Sequence, residues 1–126
     1  MGSTGLEATA RAIIDGNLYL VLGTAGADGA PWVSPVYYVP SGYREFLWVS
    51  DPEATHSRNL AARPEISVVV FDSSAPIGTG QAVYMTAVAA ELTGTDRDRA
   101  IEVFSHRSLE HGGDAWTVGH VVAPAR

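Results

Sequence analysis

The sequence contains no cysteine and no lysine among its 126 residues. Without cysteine it cannot form disulfides, iron–sulfur clusters or thiolate zinc sites. Its 8 basic residues, all arginine, stand against 14 acidic ones, and the net charge of −6 argues against general binding to nucleic acid or anionic membranes. No apolar run approaches the roughly 18 residues of a membrane span, and no signal-peptide pattern opens the chain. We therefore expect a cytoplasmic protein. The negative net charge does not exclude a small phosphorylated ligand, because a few local donors can hold one phosphate.

The length predicts a single domain over residues 1–126. A hydrophobic content of 46% supports a core, but the core of so short a chain is small and leaves much apolar surface exposed. A dimer would cover part of that surface.

Hydrophobic periodicity and turn residues predict an α+β fold built on an antiparallel β-barrel with short flanking helices. An open doubly wound sheet fits less well, because only short turns separate the first three strands. Either Ser50 or Asp51 can cap the second helix, and Ser50 with Glu53 fits a capping box. The composition of the fourth strand predicts burial on both faces. The predicted helices span 4–15, about 51–62 and 96–109, and the predicted strands span 18–24, 31–39, 45–50, 66–71 and 81–93, with a possible further strand at 119–123.

A polar segment, Thr55 to Asn59, stands in the opening turns of the second predicted helix, directly after a strand. The free N–H groups and the dipole of a helix N-terminus favour an anion, and hydroxyl, guanidinium and imidazole groups add donors. An ordinary polar helix face has the same composition and is the commoner explanation on spacing alone.

Other polar residues interrupt apolar strands. Ser34 and Ser50 each need a partner in a half-buried strand, and either a ligand or the backbone can supply it. Gln81 opens the long strand and could bond a ligand ring or face solvent.

Metal binding and aromatic stacking have weaker support in the sequence. Glu102 and His106 are one helical turn apart and could share a metal, although a solvated helix end is the more common arrangement.

Trp32 and Trp48 are more typical of a core or a dimer interface than of ligand stacking. Trp116, in a glycine-rich tail, is the better candidate for a lid or a contact with a partner chain.

The order of these segments resembles the pyridoxamine 5′-phosphate oxidase-like family, the flavin-binding split barrels. The resemblance covers roughly residues 7–94 and depends on the whole series in this order. Its segments are Leu20-Val21-Leu22-Gly23-Thr24, Asp28-Gly29-Ala30-Pro31, Val33-Ser34-Pro35-Val36, Leu47-Trp48-Val49-Ser50, Arg58-Asn59-Leu60 and Arg63-Pro64-Glu65-Ile66-Ser67-Val68.

The resemblance implies a homodimer with a cofactor site at each side of its interface. FMN is the common ligand of the family, and some branches take the deazaflavin F420 or heme. Gln81 matches a position near the isoalloxazine edge. The other implied cofactor-binding residues, most of them around the phosphate, are Val33, Ser34, Pro35, Val36, Val49, Ser50, Thr55, His56, Ser57 and Asn59.

Two departures from the family pattern bear on function. The family often has Ser-x-Lys before Arg-Asn-Leu, whereas this chain has Ala54 and His56, so a fixed cation is lost. True pyridoxamine-phosphate oxidases also continue through a final strand with substrate-binding arginines, which is missing or much altered here. Oxidation of vitamin B6 is therefore not the predicted activity.

The predicted function is flavin-dependent oxidoreduction, with the chemistry supplied by the cofactor and no assigned catalytic residue. One alternative is an F420-dependent reductase, against which the scarcity of basic residues counts mildly. The other is a non-catalytic flavin carrier or a cofactor-free interaction dimer.

Overall fold

The computed structural model of the chain describes the backbone of residues 2–113 and the side chains of residues 5–113. Trp116 and the predicted strand at 119–123 lie outside these residues. Within them the chain forms three helices and six strands, which confirms the α+β class. The elements are α1 (Gly2–Gly16), β1 (Tyr19–Ala25), β2 (Pro31–Tyr37), β3 (Val39–Ser41), β4 (Glu45–Leu47), α2 (Thr55–Ala62), β5 (Glu65–Phe71), β6 (Ala82–Val88) and α3 (Gly94–Glu110).

The main sheet is antiparallel and has the strand order β2-β1-β5-β6. Strands β3 and β4 form a separate two-stranded hairpin. This arrangement confirms the antiparallel pairing, but the sheet does not close into a barrel within the described part of the chain. Barrel closure therefore stays a prediction.

One face of the main sheet covers the hydrophobic core. Leu22 of β1 pairs with Val68 of β5, which pairs with Met85 of β6, so these side chains share that face. Alternate residues of a strand point to opposite faces. Ile14 of α1 and Leu60 of α2 complete the core together with Trp48.

The opposite face of the sheet, which we call the outer face, is largely exposed and carries several large apolar side chains. One of its rows runs across all four strands through Val33, Gly23, Ser67 and Thr86. The other outer-face side chains include Tyr19, Phe71, Tyr84 and Val88, all of which are exposed.

Some strand predictions were wrong, either in the burial of the strand or in its bounds. Strand β5 alternates between exposed and buried residues, so it is not buried on both faces. Strand β6 ends at Val88, well short of residue 93, because Val88 pairs with Glu65 and the preceding Pro64 has no N–H to extend the ladder.

The strand predicted over residues 31–39 is divided at Tyr38. Its side chain is fully buried, and its hydroxyl donates to the carbonyl oxygen of Ile14 at 2.5 Å. The chain therefore leaves β2 at Tyr37 and enters the separate hairpin at Val39.

Among the described residues, no helix has the length and apolar character that a membrane span requires.

Candidate functional site

Helix α2 packs against β1 and β2 and begins without a side-chain cap. The N-cap position is Ala54, which has no polar group to accept a hydrogen bond from the first turn. Neither Ser50 nor Asp51 caps this helix, because it begins at Thr55, about four residues after the predicted start. Asp51 Oδ1 accepts the Glu53 N–H in the preceding turn, so the predicted capping box of Ser50 and Glu53 was wrong. The first N–H groups of a helix have no intrahelical acceptor, so this end suits an anion.

Ser50 and His56 form a buried hydrogen bond in front of this helix. The distance from Ser50 Oγ to His56 Nε2 is 2.8 Å, and the tautomer of the imidazole decides which group donates. Both side chains are buried, with 9% of each residue exposed. The bond therefore joins the segment after β4 to the first turn of α2.

Ser57 is the most unusual polar residue of this region. It is only 1% exposed, and within residues 2–113 its Oγ has no hydrogen-bond partner. A buried hydroxyl that lacks a partner costs about 1–3 kcal/mol. Three neighbouring features thus meet at the start of α2: an uncapped helix end, the Ser50–His56 pair and an unsatisfied hydroxyl.

Asn59 fixes the helix to the sheet. Its Nδ2 donates to Thr24 Oγ1 at 3.0 Å, which ties α2 to the end of β1. A Cβ at Gly26 would stand 3.3 Å from Asn59 Oδ1, so the loop after β1 passes close to the same amide. Thr24 was not predicted to be a site residue, because only the folded chain brings it next to α2.

The predicted residues of β2 do not all face one ligand. Ser34 and Val36 point to the core face, and Val36 belongs to the hydrophobic core. Val33 and Pro35 point to the outer face, where both are exposed. A single ligand could therefore contact all four only through the backbone.

The remaining predicted residues are placed differently. Val49 is half-buried and Thr55 is exposed. Gln81 is also exposed and precedes Ala82, which pairs with Phe71 at one end of the sheet. The Asn59–Thr24 contact lies at the other end, so contacts within this chain do not bring Gln81 to α2.

The charged side chains considered as ligands on α2 and α3 form ion pairs with neighbouring side chains. Arg58 forms an exposed ion pair with Glu53 at 2.7 Å, an interaction typically worth about 0–1 kcal/mol. On α3, His106 pairs with Glu110 at 3.2 Å rather than with Glu102. The described residues contain no group of three side chains placed to hold a metal ion.

Two cavities adjoin the sheet. An open groove of about 750 Å³ crosses the end of the strands and includes Thr24, Trp32 and Val33. A second cavity of about 410 Å³ lies between β4 and the end of β6 and includes Trp48. Trp48 was predicted to be a core or interface residue, and it is buried in the core.

These observations define a small antiparallel α+β protein with polar donors gathered at the start of a helix that packs on two strands. The sequence profile of the pyridoxamine 5′-phosphate oxidase family matches residues 6–122, so the chain belongs to that family. No curated protein sequence matches it at a significant level.

Several solved structures share the fold. The heme storage protein HutZ from Vibrio cholerae is 22% identical with a TM-score of 0.70, and the match covers 85% of this chain and 76% of HutZ. A heme binding protein from Mycobacterium smegmatis is 28% identical with a TM-score of 0.67, covering 75% of this chain and 39% of that one. A conserved hypothetical protein from Mycobacterium tuberculosis is 20% identical with a TM-score of 0.70, covering 86% and 65%. The chain thus corresponds to well under half of the Mycobacterium smegmatis protein.

Proposed function

We propose that this chain binds a phosphorylated flavin, FMN in the first instance, and acts as a flavin-dependent oxidoreductase. The observation that carries the proposal is the buried hydroxyl of Ser57, which has no partner among the described residues and lies in the first turn of an uncapped helix. Family membership supports the same cofactor.

The donors at the start of α2 fit a phosphate group. Ser57 offers an O–H, and the uncapped first turn offers backbone N–H groups. His56 and Ser50 form a buried hydrogen-bonded pair beside them, and each has an O–H or N–H group that could donate to an oxyanion after reorientation. A phosphate oxygen would accept hydrogen bonds from the helix end, and also from Ser57 once a rotation of its side chain brings the buried hydroxyl to the surface.

When bound, a flavin supplies hydride transfer, while the protein contributes position and electrostatics. Thr55 and Asn59 would flank the phosphate, with Asn59 chiefly holding α2 against Thr24. Val33, Ser34, Pro35 and Val36 would contribute backbone groups, because their side chains divide between the two faces. Val49 would lie with Ser50 near the phosphate, and Gln81 is the proposed contact of the flavin ring.

A closed split barrel and a homodimer belong to this proposal. The exposed apolar outer face would gain a cover from a second copy. Because Gln81 and α2 lie at opposite ends of one sheet, a ligand at an interface could reach Gln81 of one protomer and α2 of its partner.

Heme is a second candidate, since the Mycobacterium smegmatis protein, which is described as heme binding, is 28% identical to this chain. Heme iron is usually held by His, Cys, Met or Tyr. The chain has no cysteine, and His56 is already bonded to Ser50. The donors near α2 therefore favour a phosphate over an iron ligand, and a non-catalytic carrier of either cofactor is the remaining alternative.

The test compares FMN with riboflavin, which has the same ring but no phosphate. We expect wild-type protein to bind FMN more tightly, as followed by quenching of flavin fluorescence. Ser57→Ala should weaken FMN binding by about 10- to 100-fold, the cost of a hydrogen bond to a charged group, and leave riboflavin binding unchanged.

Ser73→Ala is the matched control, because Ser73 is exposed in the loop between β5 and β6. This variant should bind both ligands as the wild type does. Equal affinity of wild type for FMN and riboflavin, or an unchanged FMN affinity of Ser57→Ala, would overturn the proposed phosphate site.

A further inference from the structure

We infer that the open groove on the outer face binds a small organic molecule that carries a primary ammonium group on an apolar body. The groove has a volume of about 750 Å³ and is lined by residues of β1, β2, β5 and β6. One chain forms it without a flavin and without a second copy. The inference therefore goes beyond the proposed function and does not depend on it.

Three side chains that carry oxygen atoms lie next to one another in this groove. Glu65 and Ser67 are two positions apart on β5, so both point to the outer face, and Ser67 pairs with Thr86 of β6. Two positions along a strand span about 7 Å, and the Cβ atoms of directly opposed residues are about 5 Å apart. One ligand group can therefore contact all three side chains.

These side chains are accessible and have no competing partners. Glu65, Ser67 and Thr86 are all exposed, and all line the groove. Within residues 5–113, no ion pair or hydrogen bond engages the Glu65 carboxylate or either hydroxyl group. A ligand can thus contact these oxygen atoms without breaking an existing bond of this part of the chain.

The chemistry of the three groups favours an ammonium ion. A carboxylate is only an acceptor, a hydroxyl can act as one, and an ammonium group has three N–H donors. Each donor would therefore find an oxygen atom. Glu65 is also the only charged residue that lines the groove among those described, so its field attracts a cation and repels an anion.

The rest of the groove suits a hydrocarbon body. Val33 stands on one side and Val88 on the other, and the small residues Gly23 and Ala25 leave room between them. Apolar surface of this kind gains from excluding water. A simple inorganic cation would leave it uncovered, so an organic amine is the better fit.

A second copy of the chain would not supply the positive charge. Among the residues of the four strands that point to the outer face, Glu65 alone is charged. In a two-fold dimer through this face, each copy presents the same residues to the other. Covering the groove would then enclose the Glu65 carboxylate without a counter-charge, which is unfavourable. A bound ammonium group would provide that charge.

The test compares 2-phenylethylamine with 2-phenylethanol, which has the same carbon skeleton and a neutral hydroxyl in place of the ammonium group. Each is titrated into the full chain labelled with nitrogen-15, and the shifts of the backbone amide resonances give its affinity. We expect the amine to bind about tenfold more tightly, roughly the effect of one hydrogen bond to a charged group. High ionic strength should reduce this preference.

Variants assign the site. Glu65→Gln keeps the size of the side chain but removes its charge, so it should abolish the preference for the amine and leave the affinity for the alcohol unchanged. Thr86→Val removes one hydroxyl and should weaken amine binding about three- to tenfold. Glu102→Gln is the matched control, because Glu102 is an exposed glutamate of α3 that does not line the groove.

Three results would overturn the inference. They are absence of saturable amine binding to wild type, equal affinity for the amine and the alcohol, and unchanged amine affinity of Glu65→Gln. If Glu65→Gln alters the mass of the assembly but not its affinity for the amine, the carboxylate serves a contact between copies and the inference is wrong.

Discussion

At the scale of single residues, Tyr38 joins helix α1 to the sheet. Its ring is fully buried, and its hydroxyl donates to the Ile14 carbonyl at 2.5 Å. Burial raises the pKa of Tyr38 to about 12, because the charged phenolate would lose its hydration. The residue is therefore neutral in the folded protein well into the alkaline range.

Tyr38→Phe should lower the free energy of unfolding by about 1 kcal/mol at pH 8, because the Ile14 carbonyl loses its donor. The pH dependence has a definite sign. Above pH 10, the ordinary tyrosine pKa, the unfolded chain releases the Tyr38 proton while the folded chain retains it up to about pH 12. Wild-type stability should therefore fall relative to the variant between these two values.

Urea unfolding of both proteins at pH 8 and pH 11 measures the effect. We expect the advantage of the wild type to shrink by about 1 kcal/mol at pH 11, which corresponds to roughly one pKa unit. Because all other tyrosines are common to both proteins, a constant difference would show that Tyr38 ionises normally.

At the scale of elements, the start of α2 combines an uncapped helix end with the proposed phosphate site. Ala54 leaves the helix uncapped, where a serine or aspartate would accept an N–H of the first turn. The same N–H groups are those proposed to hold a phosphate. A side chain that caps the helix should therefore stabilise the empty protein and change ligand binding according to its charge.

Ala54→Ser and Ala54→Asp should each raise the free energy of unfolding without ligand by about 1 kcal/mol. Ala54→Asp should also weaken FMN binding, because it places a negative charge beside the proposed phosphate, whereas Ala54→Ser should do so far less. Urea unfolding and flavin titration measure the two effects. Similar FMN affinities of the two variants would contradict an anion at this helix end.

Local sequence patterns predicted which elements form, but their ends depended on tertiary partners. All three helices and the strands of the main sheet were predicted from periodicity, helix-start and helix-stop signals, and turn residues. The pairing of Val88 with Glu65, which sets the end of β6, and the burial of Tyr38, which divides β2 from β3, involve residues distant in sequence. Contacts between such distant residues cannot be predicted when a single sequence is interpreted one segment at a time.

The candidate site shows the same limit. The segment from Thr55 to Asn59 could be found because hydroxyls and an imidazole at a helix start are a local pattern. The burial of Ser57 and the contact of Asn59 with Thr24 follow only from packing. The family resemblance added Val33 to Val36 as a group, whereas the register divides their side chains between two faces.

At the scale of the whole molecule, the outer face leaves large apolar side chains in water. Tyr84 is 81% exposed and Val88 is 72% exposed on the same strand. Contiguous exposed apolar surface of this kind commonly marks an interaction site. We expect a second copy of the chain to cover it.

Val88→Glu should convert the expected dimer to a monomer, because it would bury an unpaired charge in the interface. Val103→Glu is the matched control, because Val103 is an exposed valine of α3 and does not belong to the outer face of the sheet. Light scattering after size-exclusion chromatography measures both. A Val88→Glu variant with the mass of the wild-type dimer would exclude the outer face as the interface, and a monomeric wild type would exclude the dimer.

The absorption spectrum of the purified protein, with the released chromophore identified by mass, is the direct test for a phosphorylated flavin at the start of α2. We expect the visible and near-ultraviolet bands of an oxidised flavin and the mass of FMN. A single intense band with the mass of heme, or a colourless protein that binds neither FMN nor F420 when they are added, would contradict this expectation.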